Sequence, residues 1–157
     1  MDLRQPLVTL FTETFEGVAE GADGTFFVQG KEALLPILRR LTPEQASCRA
    51  SDSTNSIAAH AIHTAYYISL LNELLAGRQP HVDWEASWQV QEVDDARWSQ
   101  ALDDLETQYR QMRSHLGSAE PTEEDHRTYL LAQLAHAAFH LGSIRQLAMA
   151  QFADFVL

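Results

Sequence analysis

Cysteine is nearly missing from this 157-residue chain: Cys48 is the only one, which excludes an internal disulfide. Basic residues are scarce too. Eleven Lys and Arg stand against 22 Asp and Glu, for a formal charge of −11 and a pI near 4.9. A surface that acidic repels phosphate backbones. Arg39-Arg40 is the only adjacent basic pair, so nucleic acid is not an expected partner. No basic segment followed by an apolar run opens the chain, so no secretory signal is visible and a cytoplasmic location is the expectation. A membrane span is not expected either. Residues 53–72 hold no Asp, Glu, Lys or Arg, yet Ser53, Thr54, Asn55, Ser56, His60, His63, Thr64 and Ser69 are too polar for a bilayer core. Strand signals are nearly absent, TFFVQ at 25–29 being the one β-leaning run, and there is no internal repeat or low-complexity tract.

What is present reads as helix. With 45% hydrophobic and 21% charged residues, the chain is long enough to bury a core as one domain over residues 1–157. Leu7, Phe11, Phe15 and Val18 recur at helical steps in a first helix over Leu3–Ala19, closed by GADG at 21–24. A shorter piece, KEALLPILRRL, carries Pro36 as a start or kink, and TPEQ at 42–45 is a capping box. The second long helix spans about Ser53–Ala76 and stops at Gly77. Residues 78–94 form a linker. In the third helix Trp98, Leu102, Leu105, Tyr109, Met112 and Leu116 make a seam, with Asp94 or Asp95 as the cap. After GSAEP at 117–121, Thr122 caps a fourth helix that is uncharged from Thr128 to Ile144 and is expected to be buried on nearly all sides. The expected fold is an all-α four-helix bundle.

Two stripes on these helices carry imidazoles. At 100° per residue, His60 and His63 share a face with Tyr67, Leu70, Leu71 and Leu74. His136 and His140 lie one turn apart with Tyr129, Gln133, Ser143 and Leu147, beside a purely apolar stripe of Leu130, Leu134 and Leu141. An unpaired buried polar group costs roughly 1–3 kcal/mol, so several on one face suggest a wet pocket or an ion. Imidazoles at i and i+4 can converge on one metal, as in the HExxH zinc helix, and the second helix can supply a third. Three neutral imidazoles leave a position open on zinc, the pattern of a catalytic site. The competing reading is that the histidines are hydrogen-bonded core residues, which a lone inward histidine usually is. Spacing alone leaves both open.

The sequence resembles the DinB-like superfamily, DNA-damage-inducible four-helix-bundle metalloproteins, from about Ala33 to Gln146. LLPILRRLTPEQAS is similar to that family's first helix and turn, and SIAAHAIHTAYY at 56–67 to its second-helix motif with one inward ligand. HAAFHLGSIRQ at 136–146 is similar to its final HxxxH followed by glycine. The resemblance implies a metal triad of His63, His136 and His140. His60 is implied as an alternative ligand or as a group supporting one. It also implies a divalent ion such as zinc or nickel, a homodimer, and in some relatives transferase or isomerase chemistry with a low-molecular-weight thiol. The function expected is a metal-dependent enzyme, a thiol-dependent transferase or hydrolase acting on a small molecule. The alternative is a metal- or ligand-binding stress protein without turnover.

No carboxylate accompanies the HxxxH pair, so no general base is evident; Asp83 and Glu85 qualify only if the linker folds over the bundle. Trp84 and Trp88 in that linker either wall a small-molecule pocket near the metal or cover the bundle's end, and packing is the commoner use of aromatics. Cys48 lies beside Arg49, which favours a thiolate, but a lone cysteine is usually just a small residue. Arg127 and Arg145 flank the uncharged part of the fourth helix. Arg145 reads as a solvated helix end rather than an anion site, and His81, His115 and His126 as surface residues.

Overall fold

The computed structural model describes residues 3–18, 21, 25–29, 32–118 and 124–152. Among them there are six α-helices, one 3-10 turn and no strand. Four helices are long or of medium length: α1 (Arg4–Phe15), α4 (Ile57–Leu75), α5 (Asp95–Ser118) and α6 (Glu124–Gln151). They pack in a ring, α1 against α5 and α6, and α4 against the same two. The short α2 (Leu34–Leu38) and α3 (Pro43–Ala46) bridge α1 and α5 and lead into α4. No helix among the described residues is long and apolar enough to cross a membrane.

Local chemistry sets most of the boundaries. Gly17, at φ +86°, follows the end of α1, so this helix stops at Phe15 rather than at Ala19, which lies outside the described residues. LLPILRRL forms only the five-residue α2. Pro36 sits in its first turn, where a missing N–H costs nothing. Thr42 and Gln45 form the expected reciprocal capping box on α3. Helix α4 starts later than the uncharged run suggested. Ser56 accepts the Ala59 N–H as its cap, and residues 51–54 form a turn held by the Thr54 side chain. At the other end Gly77, at φ +75°, completes a Schellman closure: its N–H donates to Leu74 O and that of Arg78 to Glu73 O. Asp94 caps α5 through the Arg97 N–H. Thr122, the expected cap of α6, lies outside the described residues, as do parts of GADG and GSAEP.

The core follows the α5 seam. Trp98, Leu105, Tyr109, Met112 and Leu116 are buried against Leu7, Phe11 and Phe15 of α1 and Ile57 and Ile68 of α4. Phe15 stacks on Tyr109 at 4.5 Å, and the Tyr109 hydroxyl donates to Glu16, which also pairs with Arg113. The β-leaning run at 25–29 finds a carboxylate instead of a partner strand. The N–H groups of Phe26, Phe27 and Val28 donate to Glu13 at 3.0, 2.6 and 2.7 Å, and Glu13 itself is only 4% exposed. Glu32 then pairs with Arg145 at 2.6 Å, fastening the same segment to α6. Arg145 is thus an inter-element anchor, not a solvated helix end. Helix α6 also departs from expectation. Leu130, Ala137, Leu141, Ile144 and Ala148 are buried, but Leu131, Phe139 and Met149 are 48–66% exposed. A helix in a four-membered ring has two neighbours, so an uncharged helix still turns one side outward.

Candidate metal centre

Helices α4 and α6 bring His63, His136 and His140 together. The Nε2 of His136 lies 3.1 Å from Nε2 of His63 and 2.9 Å from Nε2 of His140. Three ligand nitrogens within 4.8 Å of one another are compatible with a single ion. Zinc–nitrogen bonds of about 2.0–2.1 Å place tetrahedral neighbours about 3.3 Å apart, close to the spacing found. The convergence follows from the sequence pattern: the i, i+4 pair spans one turn of α6, and His63 occupies the facing stripe of α4.

The second nitrogen of each ring fixes its chemistry. Ser87 Oγ lies 2.9 Å from His63 Nδ1 and donates its one proton to Trp84 O at 2.7 Å. It must therefore accept from His63, which places the proton on Nδ1 and leaves the Nε2 lone pair facing the cluster. His60 Nδ1 lies 2.8 Å from His140 Nδ1. Where His140 is the donor of this bond, its Nε2 lone pair also turns inward, and His60 would orient that ring from outside the cluster. His136 Nδ1 is buried without a partner.

This proton inventory is a test of fit. Held by themselves, the three inward nitrogens leave a deficit. His136 can carry a proton on Nε2, but that one proton does not meet the lone pairs of both His63 and His140, and its Nδ1 is unmet in either tautomer. A cation satisfies all three lone pairs together, so the donor set fits a divalent metal. Burial keeps the rings neutral, as ligation demands. It lowers the pKa of His60 to about 4 and, with neighbouring histidines adding to the effect, that of His63 to about 4 and His140 to about 2. His136 is also shifted below the ordinary value by burial.

The linker folds over this site. Trp88 stacks on His63 at 3.8 Å, Trp84 meets the same ring edge-on at 5.5 Å, and Trp88 also touches His60 and His140. The two tryptophans thus wall the histidines rather than merely covering the bundle's end. Gln91 anchors the loop, accepting from Ser56 N–H and donating to Asn55 and to Trp88 O. Asp83 does not reach in; its carboxylate accepts the Ala86 N–H and starts the 3-10 turn Ala86–Trp88, while Glu85 is exposed. Cys48 donates to Glu44 O at the end of α3, and His81 is exposed. Ser87 carried no signal in the sequence: its role exists only once the linker has folded back.

A bundle of this kind, with three imidazoles of two helices facing one point, defines a helical protein with a candidate metal centre. The model of the DinB superfamily matches residues 27–144, well over half of the chain, and the protein belongs to that superfamily. No curated protein and no solved structure matches. The match begins after α1, which nonetheless completes the ring.

Proposed function

We propose that the protein is a metal-dependent enzyme acting on a small molecule, with His63, His136 and His140 holding a zinc or nickel ion through Nε2. The observation that carries this reading is the convergence of three Nε2 atoms, with the outer nitrogens of two rings met by outside partners, Ser87 on His63 and His60 on His140. A divalent ion bound there supplies Lewis acidity, lowering the pKa of a coordinated water or thiol. The chain's own residues hold and orient that centre. Ser87 and His60 keep the Nδ1 protons outward, and Trp84 and Trp88 exclude water from the His63 side. Three protein ligands leave room for a reactant, which suits a thiol-dependent transferase or hydrolase with a low-molecular-weight thiol as co-substrate.

A specific observation favours a second reading, a metal- or ligand-binding protein without turnover. Among the described residues the cluster contains only histidine, and Asp83 is committed to the Ala86 N–H. We further propose a homodimer through the outward side of α6, where Leu131, Phe139 and Met149 let two chains of charge −11 meet without opposing carboxylates. Phe139→Glu is then expected to give monomers in sedimentation.

The test of the main reading is metal content after purification without added metal or chelator, followed by zinc and nickel titration and a panel of thiols with small electrophiles and esters. Absence of bound metal in both measurements would overturn it. Tight metal with no turnover on the panel supports the second reading.

A further inference from the structure

Beside the histidines, α4, α6 and the linker enclose a cleft of about 620 Å³. Leu70, Leu71 and Leu74 form one wall, Pro80 and Val82 the rim, and Tyr129 the opposite side. None of its lining residues carries a formal charge, which is notable in a chain of net charge −11. Besides Gln79 and two tyrosines, two polar side chains of α6 interrupt the apolar lining. His136, whose Nε2 belongs to the cluster, lines the cleft, and so does Gln133, one turn earlier on α6. Gln133 is 6% exposed, and its Nε2 is buried without a hydrogen-bond partner. A buried amide left unmet is costly, and a long polar side chain gains nothing over leucine here unless something completes it. Tyr67 packs on His136 at 4.9 Å and on His63 at 4.7 Å, which joins the cleft to the imidazole cluster.

We propose that this cleft binds an uncharged small molecule with an apolar body and a carbonyl or amide group, which Gln133 recognises and which the cleft delivers beside His136. The leucines take the hydrocarbon part by burial. A carboxylate or phosphate would enter without any cation to meet it. Low-molecular-weight thiols bearing carboxylates are excluded from this cleft for the same reason, so it serves the other reactant. The proposal deepens the metal reading through the residue they share, His136, but the occupancy of the cleft is measurable by itself.

The experiment uses the full chain loaded with zinc and the neutral fluorophore N-phenyl-1-naphthylamine, displaced by octanamide or by octanoate. Uptake of the fluorophore is expected, with octanamide displacing it at concentrations about tenfold lower than octanoate. Ala132→Trp, at an exposed helical position on the cleft wall, is expected to weaken uptake about tenfold while zinc titration is unchanged. Gln133→Leu is expected to keep fluorophore binding within about twofold and to weaken octanamide about tenfold. Equal displacement by octanoate, or uptake indifferent to Ala132→Trp, overturns the proposal. Should Gln133→Leu fail to fold, those two results decide alone. Uptake that behaves as expected in protein that binds no zinc overturns the metal reading and leaves the cleft standing. Zinc binding without uptake does the reverse.

Discussion

Glu13 and the histidines between α4 and α6 are both polar groups sunk among apolar side chains, and the chain completes them in opposite ways. The Glu13 carboxylate accepts three backbone N–H groups from its own chain, at both oxygens. The histidines have their outer nitrogens met at His63 and His140, while the inner nitrogens face one another with too few protons. A buried network that closes on itself fixes structure. A network whose inner nitrogens converge on one centre without enough protons to satisfy them points to something bound there.

Removing a proposed ligand should separate the two most sharply. His140→Ala is expected to weaken zinc binding by more than the roughly 10–100-fold that loss of an outer partner costs, read by competition with a chromophoric chelator. Glu13→Gln should leave that affinity unchanged. Its expected effect lies in stability, about 2–3 kcal/mol lost, because the amide offers one acceptor oxygen and turns its NH₂ toward backbone donors. Denaturant unfolding of the zinc-free protein checks it. A Glu13→Gln protein that loses zinc affinity would erase the distinction.

Ser87→Ala sharpens the same comparison at smaller amplitude. Without the hydroxyl, His63 is free to place its proton on Nε2, which competes with ligation. Zinc affinity is expected to fall about 10–100-fold, with the fold retained. His60→Leu should act alike through His140, and a double variant should lose more than either alone, since each serves a different ring. Affinity unchanged in Ser87→Ala would mean that the His63 tautomer is set by something other than this bond.

The sequence's legibility divides along the same line. The α5 seam was readable because residues from Trp98 to Leu116 serve one buried face at one period. The Thr42–Gln45 box and the Gly77 stop were readable because local backbone chemistry determines them. His63, His136 and His140 could be proposed together because helical spacing aligns each with a stripe and the family resemblance joins the stripes. Glu13 gave no sign: in α1 it looks like any acidic residue, and its three donors come from a segment whose own pattern suggested a strand. Ser87 and the placement of Trp84 and Trp88 depend on the return of the linker, which periodicity does not describe. Absence of charge in α6 suggests burial on nearly all sides, yet packing against two neighbours leaves Phe139 outward.

Acid should expose the contrast by the window in which each network fails. The ordinary histidine pKa is about 6.5, whereas burial holds His60 and His63 near 4 in the folded chain. Between those values the unfolded chain binds protons that the folded chain refuses, so stability is full above pH 6.5 and falls as pH drops toward 4. For Glu13, burial raises the pKa, but the N–H groups of Phe27, Val28 and Phe26 together outweigh it and hold the carboxyl below its ordinary 4.5. Its contribution is therefore complete above 4.5 and is lost only as pH falls through the lower folded value. Unfolding midpoints of chelator-treated protein from pH 7 to 3 are expected to decline in two stages. His60→Leu should shrink the first and Glu13→Gln the second, each leaving the other in place. Each stage is expected to be a gradual slope rather than a step, since proton uptake spreads over the interval between the unfolded and folded pKa values. A single decline confined below pH 4.5 in the parent protein would show that the histidines are not held neutral by burial.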